Sequence, residues 1–213
     1  LNAEPGPGRD RWLRRFVEGD LVGCAWTEVG SVRLGEVLTR VSRKDDGRWV
    51  VNGSKYYSTG SLFSDWIDLY AQRDDTGADV IAAIRTDQPG VRQSDDWDGF
   101  GQRTTASGTV ILDNVRVPAE HVIPVHRAFD RPTAAGAVSQ FIQAAIDAGI
   151  SRGILAETVQ QVRRHARPWI DANQQHAWED PYTIQQVGDL RIRVRAAEAV
   201  LDLAADAIAV SYT

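Results

Sequence analysis

The chain has 213 residues, a net charge of −5, 43% hydrophobic and 25% charged residues, an ordinary balance for one or two soluble globular domains. The acidic balance argues against a nucleic-acid surface. No apolar run approaches the roughly 20 residues of a membrane span, and Leu1-Asn2-Ala3-Glu4-Pro5-Gly6 lacks the basic-then-apolar order of a signal peptide.

Residues 9–19 read as the end of a helix with Trp12, Leu13, Phe16 and Val17 on one side. From about 20 to 125 the pattern is one of strands. Leu21 to Thr27 is a mostly apolar run suited to burial. Val37, Thr39 and Val41 alternate with Leu38, Arg40 and Ser42. Asp45-Asp46-Gly47 marks a hairpin turn, because Gly accepts positive φ and Asp tolerates it. Trp49-Val50-Val51 returns, followed by Trp66 to Ala71, Val80 to Ile84, Gly90 to Ser94 and Thr109 to Val117. Many short strands between Gly and Asp turns suggest a barrel or sandwich.

After Pro132 the period becomes helical. Over 134–167 a wide face carries Val138, Phe141, Ile142, Ala145, Ile146, Ile150, Ile154, Val159 and Val162, and Pro168 stops the helix. A polar loop spans 171–181. A second helix, about 182–212, has apolar Val187, Leu190, Val194, Ala197, Leu201, Ala204 and Ile208 at 3-4 spacing. Two helices cannot bury such faces alone, so further helices or another subunit are expected. The fold class is α+β. The single cysteine, Cys24, rules out an internal disulfide and fits a reducing cytoplasm. The start at Leu1 and the absence of Met suggest a piece of a longer chain.

Short hydroxyl residues at strand ends, Thr27, Ser58 and Thr59, can point hydrogen bonds at a planar ring, and Trp26, Tyr57 and Trp97 are flat enough to wall one. Strand-rich domains hold such residues for packing too, so residue type alone leaves both readings open. The same holds for Cys24, where packing is the plainer reading of a lone Cys. His121, His126, His165 and His176 lack metal-ligand spacing, so no metal site is expected. Asp95, Asp96 and Asp98 read as an exposed acidic turn. Gly99-Phe100-Gly101-Gln102-Arg103-Thr104 follows no strand and ends in Thr, so it is not read as a dinucleotide loop.

Three segments stand in a telling order: Cys24-Ala25-Trp26-Thr27-Glu28; Asn52-Gly53-Ser54-Lys55-Tyr56-Tyr57-Ser58-Thr59-Gly60; and Asp96-Trp97-Asp98-Gly99-Phe100-Gly101-Gln102-Arg103-Thr104. They are followed by Val115-Arg116-Val117-Pro118. This arrangement resembles the middle domain of the acyl-CoA dehydrogenase superfamily, over nearly the whole chain. The resemblance implies a central β-barrel flavin-binding domain (20–130), preceded by the end of an N-terminal helical domain (1–19) that is otherwise missing. It is followed by an incomplete C-terminal helical bundle (131–213). It further implies that Thr27 and Thr59 hydrogen-bond a flavin ring and that Trp26 and Tyr57 lie against it.

The wording of 96–109 is similar to the reduced-flavin monooxygenase branch, whose members desulfurise dibenzothiophene or acquire sulfur. In that branch reduced FMN comes from a separate flavin reductase and reacts with molecular oxygen to a C4a-hydroperoxyflavin, which oxygenates a soft sulfur or nitrogen atom. The implied roles are Trp97 capping the pocket, Ser58 donating towards the flavin or its oxygen adduct, and Ser107 reaching the phosphate. Cys24 falls in the catalytic pocket, where desulfurising relatives often carry Asn. Family dehydrogenases need a carboxylate base. Val138-Ser139-Gln140-Phe141 supplies none, although in some members the Glu lies further C-terminal. The family's Arg-x-Gln-Phe-Gly pattern for FAD becomes Arg167-Pro168-Trp169, which favours FMN with Arg167 at its phosphate, contributed within the chain or by a neighbouring subunit. The resemblance also implies a homotetramer and a cytoplasmic enzyme with a small-molecule substrate. An FAD-dependent acyl-CoA dehydrogenase and an inactive binding or scaffold homologue remain the alternatives.

Overall fold

Alternation of apolar and polar residues becomes a curved wall of strands in the first part of the chain. The computed structural model describes residues 6–30, 36–128 and 133–211, and the chain divides into two compact units after residue 132. The expected domain boundary near 130 and the last residue of the second expected helix, 212, lie outside the described residues.

The first unit opens with α1 (Pro7–Glu18). Pro7 stands in its first turn, where a missing N–H costs nothing, and Gly19 ends it in the left-handed region, φ 102°. Eight strands follow: β1 (Val22–Ala25), β2 (Arg40–Arg43), β3 (Trp49–Lys55), β4 (Trp66–Arg73), β5 (Asp79–Arg85), β6 (Val91–Ser94), β7 (Thr109–Val117) and β8 (Val122–Pro124). They form one mixed sheet in the order β6-β7-β3-β2-β4-β5-β8, with β1 added at β4. One edge of β4 is shared. β1 runs parallel to it from Trp66 to Leu69, and β2 runs parallel to it at Gln72 and Arg73, while β5 takes the other edge antiparallel. The expected barrel is thus a half-barrel: among the described residues the path runs from β6 to β8 without closing. The β8 strand was not anticipated, since three residues ending in Pro124 carry too little pattern to read.

Every second residue of a strand faces one side, and the core follows that rule. Ile67, Leu69 and Ala71 of β4 meet Val80, Ala82 and Ile84 of β5, with Val41, Val51, Val110, Leu112, Val115 and Val117 beside them, all buried. In β7 the phase slips: Val110 and Leu112 are inside, then Val115 and Val117. The cause is a bulge against β3 between Val51 and Gly53, where Asn114 takes φ 49° and its N–H donates to Asn52 Oδ1 at 2.8 Å. The helix that the resemblance places in a preceding domain packs on this unit. Trp12 meets Trp66 edge-on at 5.0 Å, and the Arg15 guanidinium lies 4.1 Å over the Trp66 ring. Burial holds the neighbouring His121 imidazole below its ordinary pKa, and the charge of Arg15 adds to this.

The second unit holds α2 (Ala135–Arg164) and α3 (Pro181–Ser211). Here α2 ends three residues before Arg167, not at it. Pro168 disfavours helical backbone in the residue before it, and the N–H groups of His165 and Ala166 both close on the Gln161 carbonyl. Asp180 starts α3: its carboxylate accepts from the Tyr182 N–H and the Thr183 hydroxyl, both at 3.1 Å. Leu155, Ala177 and Val194 are buried in this unit, whereas Ile142, Ile146, Ile150 and Ile154 stand exposed at every fourth position of α2. No helix among the described residues is long and apolar enough to cross a membrane.

Candidate functional site

Backbone hydrogen bonds knit the first two singled-out segments to each other and to residues 105–108, which follow the third. The Cys24 N–H donates to the Thr59 carbonyl at 3.0 Å, and Tyr56 N–H to the Thr27 carbonyl at 2.9 Å. From the other side, Ser58 N–H reaches the Gly108 carbonyl and Gly60 N–H the Thr105 carbonyl, each at 3.0 Å. A Cβ on Gly108 would run into the Ser94 carbonyl, so only Gly lets the 105–108 segment come this close. The backbone here is also unusual. Tyr57, Gln102 and Ala106 have φ of 52°, 50° and 45°. Non-glycine residues rarely adopt this region, and such positions cluster where function constrains a chain.

A buried ion pair anchors the first two segments to each other. Lys55 is wholly buried, and its Nζ lies 2.7 Å from Glu28 Oε1 and 3.2 Å from the Trp26 carbonyl. The other donors to Glu28 are the Leu38 and Thr39 N–H groups and the Thr39 hydroxyl. Burial pushes the Glu28 carboxyl up, but these hydrogen bonds, led by Lys55, outweigh it and hold the pKa at about 2. Burial pulls Lys55 down against the same partner. Neither residue was foreseen as part of the site. The available signal was that Lys55 is one of only two lysines in a chain that otherwise uses Arg.

The side chains gather into three groups. In the first, Thr59 Oγ1 lies 2.8 Å from Ser107 Oγ, which lies 2.7 Å from Thr105 Oγ1. Ser107 Oγ thus lies within hydrogen-bond distance of two threonines. Ser58 is 1% exposed, and its Oγ has no partner among the described residues. In the second, Tyr57 and Trp97 meet edge to face at 6.0 Å. The Trp97 ring lies against Gly99, and its Nε1–H donates to the Gln102 carbonyl at 3.0 Å. In the third, Trp26 stacks on Tyr70 at 5.3 Å on the side of the sheet away from the core. Cys24 and Asp68 are register partners beside them.

Cys24 is exposed, not packed into the core. Partial enclosure of its thiol first, and then the charge of Asp68, raises its pKa, so it is a thiol and not an activated thiolate. Burial also raises the pKa of Asp68, whose Oδ1 is enclosed without a partner among the described residues. Asp68 was not anticipated, because on paper it is one polar residue in an alternating strand. Thr27 is exposed at its bridge to Tyr56. Arg167 belongs to the second unit, exposed in the loop after α2. Among the described residues no group of three or more His, Cys, Asp or Glu is arranged to hold a metal.

Residues 23–115 match the family model for the acyl-CoA dehydrogenase middle domain, and residues 141–211 match that for the acyl-CoA dehydrogenase C-terminal domain. A dibenzothiophene monooxygenase of Mycolicibacterium goodii is 33% identical over an alignment of 216 residues, covering 96% of this chain and 52% of the relative. A probable FMNH2-dependent monooxygenase, SfnC, of Pseudomonas putida is 27% identical over 163 residues, covering 75% of this chain and 41% of the relative. The crystal structure of FMN-bound TdsC from Paenibacillus sp. A11-2 superposes with a TM-score of 0.79 at 29% identity, over 93% of this chain and 53% of that one. The chain thus spans about half the length of the relatives it matches.

Proposed function

The chain belongs to the acyl-CoA dehydrogenase family, and from that premise we propose that it is part of a flavin-dependent monooxygenase that uses reduced FMN and dioxygen to oxygenate a small organosulfur compound. The observation that carries this reading is the convergence of Thr59, Ser107 and Thr105 hydroxyls, the orphaned Ser58 Oγ and the Tyr57–Trp97 pair in one place. A flavin ring needs a flat wall beside hydrogen-bonding groups at its polar edge, and an enclosed hydroxyl with no partner fits such a ligand. Similarity to one relative named a dibenzothiophene monooxygenase and to another named a probable FMNH2-dependent monooxygenase supports the branch.

In this reading Thr27 and Thr59 meet the ring edge, Trp26 and Tyr57 lie against it, and Arg167, of this chain or of a neighbouring subunit, takes the phosphate. When bound, FMN in its reduced form would supply the two electrons with which dioxygen gives one atom to sulfur and leaves the other as water. Trp97, tied to Gln102 and leaning on Tyr57, excludes water from the reacting face. Ser58 donates a hydrogen bond into the same space from a position already desolvated. Cys24 and the Trp26–Tyr70 stack line the substrate side. An amine nitrogen, harder than sulfur but also carrying a nucleophilic lone pair, is the other acceptor of that oxygen atom in this reading. The boundaries 1–19, 20–130 and 131–213, a homotetramer, a separate flavin reductase and a cytoplasmic setting belong to the same proposal.

The test supplies the protein with FMN, a flavin reductase, a nicotinamide reductant and isotopically labelled dioxygen, with dibenzothiophene as the probe. Sulfoxide carrying the label only when the reductase is present is the expected result. Bleaching of bound FAD by an acyl-CoA, with no labelled sulfoxide, would overturn the reading.

A further inference from the structure

The hydroxyl chain at the site has a direction, and that direction follows from counting protons. Thr59 Oγ1, Ser107 Oγ and Thr105 Oγ1 are linked at 2.8 and 2.7 Å, and Thr105 Oγ1 lies 2.9 Å from the Gln102 carbonyl oxygen. Three hydroxyls bring one proton each, and there are three short contacts to fill. A carbonyl only accepts, so Thr105 donates to Gln102. Ser107 must then donate to Thr105, and Thr59 to Ser107. Among the described residues the one other contact of Thr59 Oγ1 is the Tyr57 carbonyl at 3.4 Å, again an acceptor, so the proton points inward in either case. Ser107 is buried while Thr59 is exposed. What Thr59 offers outward is therefore a lone pair and no proton.

We propose that Thr105 and Ser107 are positioning residues that make Thr59 an obligate acceptor, so that this site takes a ring N–H and thereby prefers the reduced isoalloxazine to the oxidised one. The inference rests on the flavin reading above, with Thr59 at the ring edge. The reduced ring carries N–H donors at positions where the oxidised ring has only lone pairs. A lone pair from Thr59 facing a lone pair of the oxidised ring leaves both acceptors unpaired, which a desolvated site tolerates poorly. Facing an N–H, the same group makes a hydrogen bond. The carbonyl that ends the chain also holds the Trp97 indole N–H at 3.0 Å and the Thr105 amide at 3.2 Å, so the pocket cap and the hydroxyl chain share one anchor.

The experiment is anaerobic binding of oxidised and of dithionite-reduced FMN to the whole protein, together with the midpoint potential of the bound flavin. The wild type should bind reduced FMN the more tightly. Thr105→Val removes the acceptor for Ser107, which then donates to Thr59 and leaves the Thr59 proton only the long 3.4 Å contact to the Tyr57 carbonyl, weak enough for the proton to turn to the ring instead. The preference for the reduced form should fall about tenfold, equivalent to a midpoint potential lower by about 30 mV. Ser107→Ala should act in the same sense, and Thr105→Ser should restore the wild-type ratio. A merely structural role for Thr105 would weaken both forms alike and leave their ratio unmoved. Equal ratios in wild type, Thr105→Val and Ser107→Ala, each folded by circular dichroism, would overturn the proposal while leaving the flavin site standing. A wild type that binds neither form would overturn the flavin reading itself, and this inference with it.

Discussion

The sheet unit and the helical unit hide their apolar side chains to very different degrees. In the sheet, Ile67, Leu69, Ala71, Val80, Ala82 and Ile84 are all at 0% exposure. A strand turns every second side chain to the same face, so a curved sheet encloses a core with its own residues. In the helices, Leu155 and Val194 are buried but Ile154 stays 61% exposed and Leu203 69%. Two helices share one seam, and a helix whose apolar arc is wider than that seam leaves the rest uncovered. The sheet unit encloses a central core with its own strands, while the described helices leave most of their apolar faces uncovered. The candidate site sits in the unit with the complete core, where strained backbone at Tyr57, Gln102 and Ala106 has a rigid support.

The sharpest way to break this comparison is to remove the anchor of the sheet unit. Lys55→Ala should cost about 3–5 kcal/mol, because Glu28 is left charged, enclosed and without its cation. The double change Lys55→Met with Glu28→Gln should recover most of that in urea unfolding. Leu69→Ala should cost about 2–5 kcal/mol as a core cavity. At the site, Ser58→Ala should leave the unfolding midpoint near wild type and cut labelled sulfoxide formation by about 10²-fold, with Trp97→Ala smaller in rate but adding peroxide leakage. Unchanged turnover in both would remove these residues from the site. The smallest effect belongs to the helical unit: Ile154→Ala should shift stability of the 213-residue chain by no more than about 0.5 kcal/mol. A cost equal to that of Leu69→Ala would mean that the face is covered.

Acidity acts on the sheet unit through two groups, Glu28 and His121. Glu28 has a folded pKa of about 2 against 4.5 for the free carboxyl. Its contribution is therefore fully present above about pH 4.5 and is lost as pH falls towards 2. His121 is held below 6.5 in the fold. Below pH 6.5 the unfolded chain takes up a proton that the native imidazole resists, so stability begins to fall there and continues until the native group protonates. Stability followed by urea unfolding across pH should show both steps, and His121→Gln should remove only the first.

Much of the sheet was legible along the chain. Trp66–Ala71, Val80–Ile84 and Thr109–Val117 announce themselves by alternation, and Asp45-Asp46-Gly47 by turn chemistry. The slip in β7 was not legible, because one extra residue at Asn114 changes the phase without changing the composition. The hydroxyl and aromatic residues of the site were visible as types, yet their partners were not. The place of Ser107 in the middle of a chain between Thr59 and Thr105 has no mark in the sequence. Asp68 and Lys55 read as ordinary strand residues, and only their neighbours across the sheet make them unusual.

The sequence by itself determined the local chemistry: which stretches alternate, which turn, which residues carry hydroxyls and rings, and the family whose order of segments they share. Those properties depend on neighbours a few residues away. The tertiary structure alone decided which of these residues meet, how the proton of Thr59 is directed, and which charges are enclosed. Each depends on contacts between segments 27 to 48 residues apart, and pairing at that separation is set by the register of the sheet, which no local pattern records.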